Sequence, residues 1–270
     1  RKKVKKLFDA LEYENKNYHY ANKMVANGEK RFQIFLKGVQ DISNNEIKDN
    51  SVDLIITDPP YLGQVAYSEY MQLYQSFLGF KINYKDEIVV SSSPLREKKE
   101  KEYFEMLREA FAICSSKLKT GHYMCMYFHD CNLPVWRQLI EMLQDVSLRF
   151  LTMVHVEKTK TLKNIISPKK SLNGDAILFF IKDDAVEKMS YAKENIDEIR
   201  SNTISQAKSM LEKRGGHLTT PELYDDGLME FIIHNGWLAK LSEKYQSLVD
   251  LFDEFLIWNP ETAEWSLPKN

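Results

Sequence analysis

The feature that most constrains the fold is a short apolar strand that ends abruptly at two prolines. Residues 52–57 form a mostly apolar, β-branched run of the kind that is buried in parallel sheets. Pro59 and Pro60 follow almost at once. They cannot continue a central strand, because proline lacks an N–H donor and fixes φ. The sequence therefore predicts a buried strand that opens directly into the loop Asp58-Pro59-Pro60-Tyr61.

Strands and helices alternate around this strand. An aromatic stripe at helical spacing predicts a helix that ends at Gly79, and the spacing favours core packing of the stripe over base stacking. The stripe comprises Tyr67, Tyr70, Tyr74 and Phe77. Other periodic segments predict strands at 32–36, 122–128, 148–156 and 176–181, and helices at 97–118 and 134–143. This alternation predicts an α/β fold whose mainly parallel sheet has helices on both faces.

The chain divides by pattern into three parts. We predict an N-terminal helical segment at 1–31, an α/β domain at 32–184 and a mainly helical accessory module at 185–270. The module ends in a hairpin around Asn259 and Pro260 and is loosely winged-helix-like. Its many acidic residues favour packing against a domain or partner over the reading of a DNA groove.

Composition limits the class of protein. The 270 residues carry 37 basic and 39 acidic side chains, so attraction to nucleic acid has to come from local patches. No apolar run is long enough for a membrane span, and no signal segment follows the N-terminus, which predicts a cytoplasmic protein without membrane contact. The three cysteines and six histidines show no zinc spacing, and we expect no metal.

The loop after the first strand carries the strongest functional signal. Ligands in open α/β sheets bind at the carboxyl ends of strands, where this loop lies. The segment SVDLIITDPPY at 51–61 resembles motif IV of the amino-methyltransferases of DNA. The resemblance extends over 32–182 and implies a Rossmann-like methyltransferase sheet, DNA as substrate and S-adenosylmethionine as methyl donor. The alternative is a strand-terminating turn in which Asp58 caps the next segment.

The residue types of the loop fit methylation of an exocyclic amine. The amine is a poor nucleophile, and Asp58 together with the carbonyl of Pro59 can accept its two hydrogens while Pro60 keeps the loop rigid. Tyr61 offers a flat surface on which a flipped base can stack. In the family an initial Asp goes mostly with adenine, which implies N6-methyladenine as the product. The resemblance also places Asp58 beside the cofactor, and Tyr67 is a further candidate for the base pocket.

A basic loop is the second candidate site. Five lysines occur without an acidic residue between two predicted strands, where they can contact DNA phosphates. They are Lys158, Lys160, Lys163, Lys169 and Lys170. A solvated connecting loop is an equally good interpretation.

One family feature is missing from the sequence. The family has a glycine-rich loop of F-x-G-x-G type at the cofactor, and the ten glycines of this chain form no GxG. We expect an upstream domain of a longer enzyme, or a partner chain, to supply that loop. The rival hypotheses are a non-catalytic DNA-binding or scaffold subunit of a methyltransferase complex, and an enzyme that methylates RNA or a protein amide. The sequence does not choose between restriction-modification, epigenetic marking and phage defence.

Overall fold

The computed structural model describes residues 33–35, 37–62, 66–79, 81–157, 167–170, 172, 174–185 and 193–268. The chain forms two compact units, residues 1–42 and residues 43–270. The described part of the first unit contains a short 3-10 helix, Val39–Asp41. The strand predicted at 32–36 is wrong as far as it is described, because residues 33–35 belong to no strand. The predicted N-terminal helix lies outside the described residues.

The second unit begins with strands and helices in alternation and ends with short helices. Its strands are β1 Val52–Thr57, β2 Leu118–Phe128, β3 Leu148–Glu157, β4 Gly174–Lys182, β5 His217–Leu218, β6 Ile257–Asn259 and β7 Glu264–Ser266. Its α-helices are α1 Tyr67–Leu78, α2 Glu100–Lys117, α3 Leu133–Asp145, α4 Ile196–Lys213, α5 Thr220–Leu223, α6 Met229–His234, α7 Leu238–Lys244 and α8 Leu248–Phe255. A 3-10 helix, Pro168–Lys170, precedes β4, and a π-helical turn, Tyr224–Leu228, joins α5 to α6.

The larger sheet holds four strands in the order β1-β2-β4-β3. β1 and β2 pair in parallel, whereas β4 pairs antiparallel with both β2 and β3. Three strands therefore point the same way, and the carboxyl ends of β1 and β2 lie at the same edge as the first residues of β4. The α/β class that the sequence predicts is confirmed.

The direction of β4 is the main departure from a mainly parallel sheet. A parallel pair needs a crossover connection, usually a helix, whereas neighbouring antiparallel strands need only a loop. The segment between β3 and β4 has no helical periodicity in the sequence. Direct antiparallel pairing of the two strands, with Val154 opposite Ile177, is consistent with such a connection.

The two faces of the sheet differ in burial. Met124, Met126 and Leu178 lie on one face and are fully buried in a core that includes α2 and α3. The opposite face carries Leu54 and Ile56, which are 51% and 68% exposed. Among the described residues β1 is also an edge strand, since it pairs only with β2. The predicted helical cover of this second face therefore stays a prediction.

The aromatic stripe of α1 does not pack in the core, so that prediction is wrong. Tyr67, Tyr70 and Phe77 are 64%, 62% and 50% exposed, and the buried residue of the helix is Ser68. Helical spacing identifies a common face and does not say what covers it. The helix contacts the rest of the unit through polar groups of its first turn, where Ser68 bonds to Glu87 and Arg96. Gly79 ends the helix as predicted, in the left-handed conformation at φ 72°.

The C-terminal helices share the hydrophobic core of the sheet. Apolar residues of α4, α6, α7 and α8 are buried in the same cluster as those of α2, α3 and β2 to β4. Glu230 of α6 accepts hydrogen bonds from Thr152 and from the backbone N–H of Met153 in β3. A three-stranded sheet in the order β5-β7-β6 closes this region. The boundary at residue 185 and the winged-helix character of the module stay predictions. None of the helices described is long and apolar enough to cross a membrane.

Candidate functional site

The Asp58–Tyr61 loop lies at the edge of the sheet where three strands converge. It follows the last residue of β1, next to the end of β2 and the start of β4. Asp58 is exposed, and Pro59, Pro60 and Tyr61 are half-buried. This is the position that the sequence predicts for a ligand site, at the carboxyl ends of the strands.

Tyr61 holds the carboxylate of Asp58. The phenol donates a hydrogen bond to Asp58 Oδ1 over 2.6 Å. Burial, together with this bond to a carboxylate, raises the pKa of Tyr61 above its usual value near 10, so the hydroxyl remains a donor at neutral pH. One carboxylate oxygen of Asp58 is thus engaged within the loop, and Oδ2 remains available to a ligand.

Tyr103 of α2 fixes the other end of the loop. Its hydroxyl donates to the carbonyl oxygen of Pro60 over 2.6 Å. Burial, and secondarily the nearby charge of Asp130, raises the pKa of Tyr103. The Pro60 carbonyl is therefore engaged within the protein, whereas the structure gives the carbonyl of Pro59 no such donor among the described residues.

A series of aromatic contacts supports the ring of Tyr61. Tyr61 meets Phe128, the last residue of β2, edge to face with ring centroids 6.4 Å apart. Phe128 in turn contacts Trp136 of α3 at 4.7 Å, and the indole N–H of Trp136 donates to the carbonyl of Asp130. Edge-to-face pairs of this kind are directional, so they fix the plane of the tyrosine ring as well as its position.

A histidine and a buried carboxylate border the loop. His129, just after β2, donates from Nδ1 to the carbonyl of Gly174 over 2.5 Å, and the same atom lies 3.7 Å from Asp175 Oδ1. Asp175 is buried, and its charge adds to the rise in the pKa of Tyr61. Gly174 has φ 137°, and a Cβ there would lie 2.2 Å from the carbonyl oxygen of Val156. The glycine is therefore required by the close approach of β3.

Asp130 adds a third carboxylate to this edge. It accepts a hydrogen bond from the backbone N–H of Asn132, yet burial raises its pKa. Together Asp58, Asp130 and Asp175 make the edge acidic. Such a surface repels phosphate and suits an amine or another group that donates hydrogen bonds.

The other predicted site residues have different surroundings. Tyr67 is exposed at the start of α1, within electrostatic range of Tyr61. Lys169 forms an ion pair with Asp253 at 2.5 Å and lies over the ring of Trp265. Lys170 is exposed. The remaining three lysines of the basic loop, Lys158, Lys160 and Lys163, lie outside the described residues.

Several residues of the site were missed by sequence reasoning. Tyr103 carries a helical core pattern, and nothing in that pattern shows that its hydroxyl reaches Pro60. Asp175 precedes a predicted strand, and only the antiparallel direction of β4 brings it to the loop. His129 and Asp130 had a usable signal, because they directly follow a predicted strand at the end where ligands bind. The described residues contain no cluster of three metal-ligating side chains.

The fold and site define an α/β protein with an acidic, aromatic-lined site at the carboxyl ends of β1 and β2. A family model described as DNA methylase, of the N6/N4 methyltransferase type, matches residues 52–252. The match covers most of the chain and includes the whole Asp58–Tyr61 loop. The chain therefore belongs to the DNA methylase family.

Solved structures with a similar arrangement are distant in sequence. A putative DNA modification methylase of Thermus thermophilus is 11% identical, with 62% of this chain and 56% of that chain covered at a TM-score of 0.31. Its complex with S-adenosyl-L-methionine is 13% identical, with 57% of this chain and 55% of that chain covered at a TM-score of 0.30. The PvuII DNA methyltransferase, which is cytosine-N4-specific, is 12% identical, with 64% of this chain and 62% of that chain covered at a TM-score of 0.38. The chain thus spans less than two thirds of these proteins. A search of curated proteins gave no match.

Proposed function

We propose that this chain binds the target base of a DNA amino-methyltransferase, which transfers a methyl group from S-adenosylmethionine to N6 of adenine. The observation that carries the proposal is that hydrogen bonds hold the Asp58–Tyr61 loop in place at the end of β1. Its Asp58 carboxylate is held by Tyr61 and its Pro60 carbonyl by Tyr103. Membership of the DNA methylase family supports the reaction class.

The braced loop offers two acceptors to an exocyclic amine. Asp58 Oδ2 can accept one N–H, and the carbonyl of Pro59 can accept the other. The lone pair of the amine is delocalised into the base, so a rigid pair of acceptors helps by orienting the nitrogen and stabilising the positive charge that develops on it. Both acceptors belong to a loop that is held by one internal hydrogen bond, from Tyr61 to Asp58, and by one from α2, from Tyr103 to Pro60. Little reorganisation is therefore needed when the base binds.

Tyr61 provides an aromatic ring on which the base can stack. Flipping a base out of a duplex costs a few kcal/mol, roughly what stacking on an aromatic ring returns. The plane of the Tyr61 ring is fixed by Phe128 at one edge and by the hydrogen bond to Asp58 at the hydroxyl. The ring of Tyr67 is exposed, and we propose it as a second aromatic surface for the base.

The described residues do not by themselves fit the cofactor. When bound, S-adenosylmethionine supplies an already activated methyl group. The glycine at this edge, Gly174, serves the close approach of β3 to β4, and the sequence contains no GxG. The carboxylates of the edge can receive hydrogen bonds from such a molecule, but they form no cradle for it. We therefore assign these residues roles toward the target amine and none toward the cofactor.

We propose that an upstream domain or a partner chain supplies the glycine-rich loop. Support comes from β1, which carries the site and is an edge strand of the described sheet. Leu54 and Ile56 leave an apolar surface beside that edge, larger than an isolated surface residue would give. Calorimetric titration with S-adenosylmethionine tests this. Binding by the longer protein and none by residues 1–270 supports the proposal, and tight binding by residues 1–270 alone rejects it.

Substitution of Asp58 tests the catalytic role. Asp58→Ala in the full-length protein should lower methyl transfer from tritiated S-adenosylmethionine to DNA by about 100- to 1000-fold, the usual effect of removing one preorganised group. Asp53→Ala is the matched control, because Asp53 is an exposed carboxylate of β1, the strand that precedes the loop, and pairs with Lys119. Equal activity of the two variants would reject the role of Asp58.

A non-catalytic DNA-binding or scaffold subunit is the second candidate function. The absence of GxG from the sequence favours it. It predicts that a complete assembly containing this chain keeps its methyl-transfer activity when Asp58 is replaced. Methylation of RNA or of a protein amide is a further alternative, and competition between duplex DNA and RNA for the enzyme distinguishes it.

A further inference from the structure

The side chain of Arg96, a buried arginine in the segment between α1 and α2, contacts the first turn of α1. The side chain of Arg96 is 2% exposed. Its Nε donates to Glu87 Oε2 over 3.1 Å, and its Nη2 donates to the hydroxyl of Ser68 over 2.8 Å. Its Nη1 donates to Glu69, and the guanidinium lies 5.6 Å from the ring centre of Tyr84. A guanidinium with this many partners fixes the relative position of all the segments that it contacts.

Glu87 acts as the cap of α1 from outside the helix. The residue at the N-cap position is Ala66, which has no side-chain acceptor. Instead, Glu87 accepts the backbone N–H of Ser68 over 2.9 Å and the Ser68 hydroxyl over 2.6 Å. A carboxylate at this end satisfies an unpaired N–H and is favoured by the helix dipole. The first turn of α1 is therefore held by a loop nineteen residues further along the chain.

The loop that carries Glu87 is itself fixed. Lys98 is buried and donates from Nζ to the carbonyl oxygens of Tyr84 and Glu87. Ser91 and Lys98 exchange two backbone hydrogen bonds of 2.8 and 2.9 Å, which close the turn that contains Arg96. Glu87 thus contacts α1 from a segment that hydrogen bonds hold in place.

Continuity of the chain connects this network to the site. Tyr67 is the first residue of α1, immediately before Ser68, and lies within electrostatic range of Tyr61. The first turn of α1 therefore sets where Tyr67 lies. Aromatic rings on which a base stacks must be held within a fraction of an ångström to be productive.

We propose that Arg96 and Glu87 are positioning residues for the target base. They fix the first turn of α1 and, through it, Tyr67, the candidate second aromatic residue of the base pocket. This role rests on the proposed function, since it assumes that the loop receives a DNA base. Neither residue touches the base.

Glu87→Gln in the full-length protein tests the role. Glutamine keeps an oxygen for the Ser68 N–H and removes the charge that pairs with Arg96. Hydrogen exchange of peptides over residues 66–72 should become about tenfold faster, with exchange in β2 unchanged. The KM for DNA should rise about tenfold, while the KM for S-adenosylmethionine stays at the wild-type value. Glu141→Gln, which breaks the Arg137–Glu141 pair on α3, is the matched control and should change neither quantity.

The outcomes separate this inference from the proposed function. Unchanged exchange over residues 66–72 would overturn the positioning role. Faster exchange with an unchanged KM for DNA would also overturn it, because the network would then support the helix and not the base. No methyl transfer by the wild-type full-length protein, supplied with any partner chain, would overturn the proposed function and this role with it.

Discussion

Tyr103→Phe removes one hydroxyl group, the donor that holds the carbonyl of Pro60. Tyr103 is 4% exposed, and phenylalanine fills the same space, so the change deletes the 2.6 Å hydrogen bond and preserves the packing. Pro60 is half-buried, so water can partly replace the lost donor. We expect a stability loss of about 1 kcal/mol, at the low end for an orphaned acceptor. For a protein of this size this corresponds to a fall in Tm of roughly 2–4 °C.

The expected effect of Tyr103→Phe on catalysis is larger than its effect on stability. Without the donor, the loop can shift and take the carbonyl of Pro59 away from the amine. A displacement of about 1 Å costs roughly 100-fold in rate, so we expect kcat/KM for DNA to fall about 10- to 100-fold. Thermal unfolding by calorimetry and tritium transfer from S-adenosylmethionine to DNA measure the two effects.

Tyr245→Phe is the matched control for this prediction. Tyr245 is also buried, and its hydroxyl donates to Glu254 over 3.1 Å. The control should lose a similar amount of stability and keep its methylation activity. Equal losses of activity in the two variants, or wild-type kcat/KM in Tyr103→Phe, would refute the idea that the hydroxyl positions the loop.

The remaining predictions concern charge. Burial raises the pKa of Asp130, so its ionised form destabilises the fold at neutral pH. Asp130→Asn should therefore raise the urea concentration at the unfolding midpoint at pH 7. The substitution should give no gain below pH 3.8, where the acid is neutral. The raised pKa of Tyr61 means that the neutral phenol stabilises the fold below pH 10 and that this stability is lost as the pH rises further. The fall in Tm above pH 10 should thus be shallower in Tyr61→Phe, and equal slopes would contradict the assignment. Lys169→Ala should cost about 0.5–1 kcal/mol through loss of the contacts with Asp253 and Trp265. A decrease of about one in the salt dependence of DNA binding would show instead that Lys169 contacts a phosphate.

The sequence predicts the parts of the fold that local pattern determines. The strands β1 to β4, the proline stop after β1 and the helices α1 to α3 follow from hydrophobic period and from the helix stop at Gly79. The pattern Thr219-Thr220-Pro221-Glu222 is typical of a helix start, and α5 begins there, with the Thr219 N–H donating to Glu222 over 2.7 Å.

The features that the sequence does not predict depend on contacts between distant residues. Tyr103 and Pro60 are joined across 43 positions, and Asp175 reaches the loop only because β4 runs antiparallel. The exposed stripe on α1 shows the same limit, because helical spacing identifies a common face and does not say what covers it. The described contacts of the helix lie instead at its first turn, where Glu87 accepts from the Ser68 N–H and Arg96 donates to the Ser68 hydroxyl.

Analysis of the nucleosides in cellular DNA tests the central claim most directly. The full-length protein, with any partner chain, is expressed in a host without DNA methylation, and the digested DNA is examined by mass spectrometry. We predict N6-methyladenine in cells with the wild-type protein and with Asp53→Ala, and none in cells with Asp58→Ala. N6-methyladenine at the wild-type level with Asp58→Ala would contradict the claim that Asp58 receives the target amine, and N4-methylcytosine alone would contradict the assignment of adenine.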